Sequence, residues 1–251
     1  MLLEVNNLAV SFGGVQALHL RRFSLEAGEL RVVIGPNGAG KSTFMDILCG
    51  KIKADSGEIR FNGKSIHGLT EAEIAEAGMG RKFQKPSVFP SLTVFDNMSI
   101  AAKMKKDIIA SLFFKTSPAF TDKIQAIAKR VGLSHVLRQQ AGSLSHGQKQ
   151  WLEIAIVVLQ DPQLLLIDEP AAGMSDGEAE KTGELLLELS KQHGVIVIEH
   201  DMHFVKQIAN NLVSVLVNGK LLMEGRFEDV RNDQRVVDCY LGRANSQLEM
   251  A

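Results

Sequence analysis

The 251-residue sequence predicts an α/β fold with a parallel sheet covered by helices on both faces. In its last hundred residues, short apolar runs take turns with helix-length segments, the signature of strand–helix–strand units. Its first thirty-five residues carry only strand patterns, and a glycine-rich turn, GPNGAGKS, stands between an apolar run and a helix. A hydrophobic fraction of 45% against 23% charged residues supplies a core and argues against extensive disorder. Lys+Arg 28 against Asp+Glu 29 leaves a net charge of −1, so no global field draws nucleic acid, and none is expected as a partner.

Taken in order, LLEVNNLAVSF and VQALHLRRFSL alternate or carry β-branched residues, and ELRVVIG is a short buried run ending in glycine. Three strands are therefore expected. Lys41 to Cys49 reads as a helix, Asn62-Gly63 as a hairpin turn, and LTEAEIAEAG as a helix capped by Thr70 and stopped by Gly78. From Thr93 to Leu137 only helical periodicity is present, clearest in VFDNMSIAAKM and TDKIQAIAKRVGL. From Ala101 to Arg130 it holds Lys103, Lys105, Lys106, Lys115, Lys123, Lys129 and Arg130 against Asp107 and Asp122. A solvated face explains that surplus; a surface for phospholipid headgroups or a partner is the alternative. Helices are then predicted over Gly147 to Leu159, Gly177 to Lys191 and Met202 to Ala209. Strands are predicted over Gln163 to Ile167, Gly194 to Glu199 and Leu212 to Val217, a hairpin at Asn218-Gly219, and a short helix over Gln234 to Leu241.

No apolar run approaches the roughly 18 residues of a membrane span. The start carries Glu4 where an export signal would be basic and then apolar, and Cys49 and Cys239 lack metal-ligand spacing. The expected location is cytoplasmic.

GPNGAGKS fits G-x-x-x-x-G-K-[ST] in the required strand–helix setting. Its glycines let backbone N–H groups converge on phosphate, Lys41 reaches terminal phosphates, and Ser42 offers a hydroxyl to Mg²⁺. A nucleotidase also needs a carboxylate for the metal and a group for the attacking water. Leu164 to Ile167 delivers Asp168 and Glu169 at a strand's C-terminal end, where open α/β sheets place their ligand crevice. Asp168 is assigned to Mg²⁺ and Glu169 to water. His200, ending the next apolar strand, is expected in the same crevice as a γ-phosphate contact, and Gln84 offers an amide to Mg²⁺ or water. In LSHGQ, Ser145 is a plain N-cap or, with the N–H groups around Gly147, a second anion site.

The ordered set of phosphate loop, Gln84, LSHGQ, LLLIDEP and His200 resembles the ATP-binding subunit of ABC transporters along nearly the whole chain. The resemblance implies an α/β P-loop ABC ATPase core with an antiparallel β-subdomain, approximately residues 1–92 and 138–251, and an inserted helical lobe at approximately 93–137. It implies ATP and Mg²⁺ as cofactors, with ATP held by Phe12, Gly35, Asn37, Gly38, Ala39, Gly40, Lys41, Ser42 and Thr43. The metal falls to Ser42, Gln84 and Asp168, and catalysis to Glu169, His200 and Gln84. Ser145, His146, Gly147 and Gln148 would complete a site across a dimer of ATP-binding subunits, the same or a related chain. Phe12 is either the aromatic on which adenine stacks or a core residue of the first strand.

His146 departs from the usual glycine of that signature, which is tolerated if its side chain points away from phosphate. Ser175 stands where many members carry an aspartate. The unbroken AAG after DEP and the ending Tyr240-Leu241-Gly242 resemble the ATPases of branched-chain amino acid and amide uptake systems. GRKFQKPSVF, LSHGQKQWLEI and DEPAAGMSD look most like the urea transporter's ATP-binding subunit. The expected function is thus to power a separate membrane permease from the inner face of the membrane, for urea or a short amide. Branched-chain amino acid uptake is the alternative, and a periplasmic solute-binding protein is an indirect partner. A GTPase lacks support because no N-K-x-D sequence occurs, and 127 positions between Lys41 and Asp168 leave no room for a long coiled-coil insertion.

Overall fold

The computed structural model describes residues 1–82, 88–103 and 118–240. Strands β1 (Leu3–Phe12) and β2 (Val15–Leu25) form a hairpin, and β4 (Ser56–Phe61) and β5 (Lys64–Ser65) extend it into an antiparallel sheet of order β2-β1-β4-β5. Asn62 and Gly63 join β4 to β5 at φ 50° and 73°, the left-handed pair that a two-residue hairpin favours. The second sheet takes β3 (Leu30–Ile34), β6 (Met79–Lys82), β7 (Leu164–Asp168), β8 (Gly194–Ile198), β9 (Val213–Val217) and β10 (Lys220–Gly225). Its order is β10-β9-β3-β8-β7-β6, parallel except for β10, which returns against β9 through Asn218-Gly219.

Side-chain alternation along these central strands divides the core. Leu30, Val32, Ile34, Leu165, Ile167, Val195 and Val197 pack on the helical side. Val33, Leu164, Leu166, Ile196 and Ile198 pack with the antiparallel sheet. Period-two burial on both faces of one sheet therefore produces three layers. Helix α1 (Lys41–Leu48) lies on the antiparallel side, where Phe44 meets Phe23 edge-on at 5.0 Å between ring centroids. Such a pair adds about 0.5–1.5 kcal/mol beyond area burial and fixes the helix that carries Lys41.

Helix α2 (Glu71–Ala77) begins as expected at Thr70, whose hydroxyl accepts from the Glu73 N–H while Glu73 reaches back to the Thr70 N–H. It ends at Gly78, at φ 107°. On the other side lie α3 (Val94–Lys103), α4 (Pro118–Arg130), α5 (His146–Leu159), α6 (Asp176–Ser190) and α7 (Met202–Ile208). Each predicted strand and helix within the described residues is present, with ends shifted by one to three residues. Not predicted were β6, a short helix, α8 (Phe227–Asn232), and two single 3-10 turns at Ser134–Val136 and Ala141–Ser143. Gln84, Lys105, Lys106, Lys115, Leu241 and Gly242 lie outside the described residues. No helix among the described residues is long and apolar enough to cross a membrane.

Candidate functional site

Strand register brings the predicted residues to one sheet edge. Asp168 pairs with Ile198, and Ile198 pairs with Val33, so the chain leaves β3, β7 and β8 at the same level. The phosphate loop, Glu169 and His200 therefore emerge together at the C-terminal ends of parallel strands, the place where α/β sheets form a crevice.

Asn37, Gly38, Ala39, Gly40, Lys41, Ser42 and Thr43 line a cleft of about 420 Å³ together with Glu169 and residues 15–17 at the start of β2. Gly35 is confined there by contact, since a Cβ would strike the Leu216 carbonyl of β9. Gly40 caps α1 at φ 97° with no side-chain hydrogen bond to the helix. Residues 41–43 of its first turn line the cleft, where the helix dipole favours an anion. Lys41 is buried, and its Nζ donates to the carbonyl oxygens of Gly35 at 2.6 Å and Pro36 at 3.2 Å, holding the ammonium within the loop. An uncapped helix start, a loop lysine and a hydroxyl at Ser42 fit a nucleotide phosphate chain, and the neighbouring carboxylates fit its magnesium.

Asp168 is buried at the end of β7, 3.8 Å from the Arg81 guanidinium. Burial pushes its carboxyl above the ordinary aspartate value, with Arg81 the largest opposing influence. Glu169 turns out of the strand at φ 43°, a left-handed conformation unusual for a residue with a Cβ. Its Oε1 lies 3.3 Å from Nδ1 of His200, which is more than half exposed. Beneath them is Glu199, which was not singled out from the sequence. This nearly inaccessible carboxylate accepts from the N–H groups of His200 (2.9 Å), Asp201 (3.3 Å) and Ala171 (3.3 Å), binding the loop after β7 to the turn after β8. Burial raises its carboxyl, and those three backbone donors oppose the rise. The cluster can hold a divalent ion, position water and present a histidine near a terminal phosphate.

Phe12 is 49% exposed at the tip of β1, beside the hairpin that borders the cleft, so the core alternative is overturned. Ser145 caps α5, its Oγ accepting from the Gln148 N–H while Gln148 Oε1 accepts from the Ser145 N–H. The same hydroxyl donates to Glu178 Oε1 at 3.2 Å. Glu178 also accepts from the backbone and hydroxyl of Ser175, joining the N-termini of α5 and α6, and lies so near Gly147 that a Cβ there would come within 2.5 Å. His146 turns toward the loop after Glu169, with Nε2 3.0 Å from the Ala172 carbonyl oxygen.

Known proteins share this sequence and architecture. The pattern of the family described as ABC transporter matches residues 18–172, more than half of the chain. LivG, a high-affinity branched-chain amino acid transport ATP-binding protein of Escherichia coli, is 34% identical over 97% of this chain and 98% of its own. BraF of Pseudomonas aeruginosa, described in the same terms, is 35% identical over the same shares. A crystal structure of an ABC transporter's ATP-binding cassette in its ADP conformation superposes with a TM-score of 0.84, at 32% identity over 96% of this chain and 98% of that one. A nucleotide-free cassette gives 0.83 at 31% identity, over 95% and 98%. These relatives favour the branched-chain alternative over the urea reading. With a P-loop cleft, an acidic pair and a signature helix in one matching fold, the chain belongs to the ATP-binding subunits of ABC transporters, in their branched-chain amino acid group, as an ATPase that powers transport.

Proposed function

We propose that this chain hydrolyses ATP to drive a membrane permease importing branched-chain amino acids. The observation that carries the solute assignment is its end-to-end match to ATP-binding proteins named for that transport. In this reading adenine stacks on Phe12, and the phosphates lie along residues 35–43 with Lys41 at the terminal pair. Ser42, Gln84 and Asp168 would hold Mg²⁺, which when bound neutralises phosphate charge and orients the transferred group. Glu169 orients or deprotonates the attacking water, and His200 contacts the γ-phosphate. Ser145, His146, Gly147 and Gln148 complete the ATP site of a second ATP-binding subunit, identical or related. The chain sits peripherally on the inner face of the membrane against the permease subunits, and a periplasmic solute-binding protein selects the solute.

A second reading, urea or a short amide, is favoured by the phrases GRKFQKPSVF, LSHGQKQWLEI and DEPAAGMSD. Uptake of labelled leucine and labelled urea by native cells carrying Glu169→Gln separates the two. Loss of leucine uptake alone supports the first reading, and loss of urea uptake alone replaces it with the second. Unchanged uptake of both counts against an import role for Glu169.

A further inference from the structure

Strand β6 carries two consecutive cations, Arg81 partly buried and Lys82 buried, that the proposed mechanism leaves unused. Successive side chains leave a strand on opposite faces. Arg81 turns to α1, with Nη1 2.5 Å from Asp46 Oδ1 and 3.0 Å from Cys49 Sγ. Lys82 turns to α5, with Nζ 3.8 Å from Glu153 Oε2. Lys82 is 2% and Glu153 4% exposed, and the Lys82 ammonium makes no hydrogen bond among the described residues. Burial disfavours its charged form, and attraction to Glu153 first, then to Asp168 and Glu169, opposes that.

Removing an ammonium and a carboxylate from water is costly, and an apolar pair of like volume commonly serves packing as well or better. This pair sits where geometry matters to chemistry. Its carboxylate belongs to the helix whose first turn is Ser145 to Gln148, and its ammonium to the strand hydrogen-bonded beside β7, which ends in Asp168. We propose that Lys82 is a positioning residue: its ion pair with Glu153 fixes the signature helix relative to the Asp168-Glu169 pair, so that the two half-sites of one chain keep a set distance. The inference rests on reading Ser145 to Gln148 as completing a partner subunit's ATP site.

The test uses the full chain assembled with its permease subunits. Lys82→Met/Glu153→Gln removes both charges of the pair together, so that neither charge is left buried without the other. It is expected to melt near wild type and bind ATP with unchanged affinity, yet to turn ATP over about tenfold more slowly, the usual size of a supporting-shell effect. Its dependence on ATP concentration should also lose cooperativity. Lys82→Arg, which keeps the charge, should stay within about threefold of wild type. Turnover by the double variant within twofold of wild type, or its failure to fold, would assign the pair to stability and overturn the proposal. So would Lys82→Arg being as slow as the double variant. Wild-type turnover in Glu169→Gln would strike the catalytic reading instead and leave the Lys82 comparison standing.

Discussion

Glu169 illustrates how single positions of this chain are specified by function more than by packing. It holds φ 43°, where residues with a Cβ pay of order 1–3 kcal/mol, and that turn brings its carboxylate to His200 and the phosphate cleft. Phe12 is a second position with no packing reason for its size, since it is half exposed at a hairpin tip. Phe12→Ala should therefore leave thermal stability almost unchanged while weakening ATP binding by about 1–3 kcal/mol, the range for base–aromatic stacking. Calorimetry reads both, and equal ATP affinity would remove Phe12 from the site. Lys41 and Ser42 were legible in the sequence because a phosphate loop is local: glycines, lysine and hydroxyl follow one another within eight residues. Glu199, Arg81 and Lys82 were not. Their partners come from other elements, as when Glu199 accepts from Ala171 and Arg81 reaches Asp46, so no spacing along the chain announces them.

Helices α5 and α6 start at a shared carboxylate. Glu178 closes the first turn of α6 onto Ser175 and accepts the Ser145 hydroxyl of α5. The Ser175 backbone N–H, then its hydroxyl, hold this carboxyl below the ordinary glutamate value. A lowered value means that the folded state prefers the ionised form, so the contribution is present above the unfolded value and fades as pH falls through the folded one. Glu178→Ala should cost about 1 kcal/mol near neutral pH, the size of a lost cap. By urea denaturation, the gap to wild type should narrow at about pH 3, where unfolded glutamate is protonated. A gap independent of pH would exclude the charged cap. Hairpins at Asn62-Gly63 and Asn218-Gly219 were readable because left-handed backbone demands those residues. Strand β6 was not, because MGRK shows no alternation of apolar residues; its arginine and lysine are held by partners that only the fold supplies. Helix α8 is six residues long, too short to display a period of 3.6.

The three-layer molecule opens its cleft at the C-terminal ends of the parallel strands, and residues 37–43 and Glu169 both line it. The signature turn at Ser145 begins a different helix of the same chain, which is why a second subunit is proposed to close the site. Glu169→Gln keeps every proposed binding contact while removing the group proposed to position water. ATP should then accumulate a closed dimer of the ATP-binding subunits, seen as a doubled mass by light scattering, and removal of ATP should return it to monomers. A monomer in saturating ATP would count against closure by a second copy. The doubly covered sheet was legible because alternating strands and helices in the last hundred residues permit few other packings. The depth of the cleft was not, since it depends on how far β1 and β2 reach over the phosphate loop.

The position of β3 has a bearing on how the protein comes off the ribosome. Its neighbours in the sheet are β8 and β9, drawn from residues 194–217, so the strand that feeds the phosphate loop is made early and paired late. At roughly 5–20 residues per second, on the order of ten to forty seconds of synthesis separate the two events. Over that interval Leu30 to Ile34, a stretch apolar except for Arg31, has no sheet to enter, and nascent chains stalled before β8 should engage chaperones and fail to retain ATP. Nucleotide can stabilise this protein only after nearly all of it has been translated.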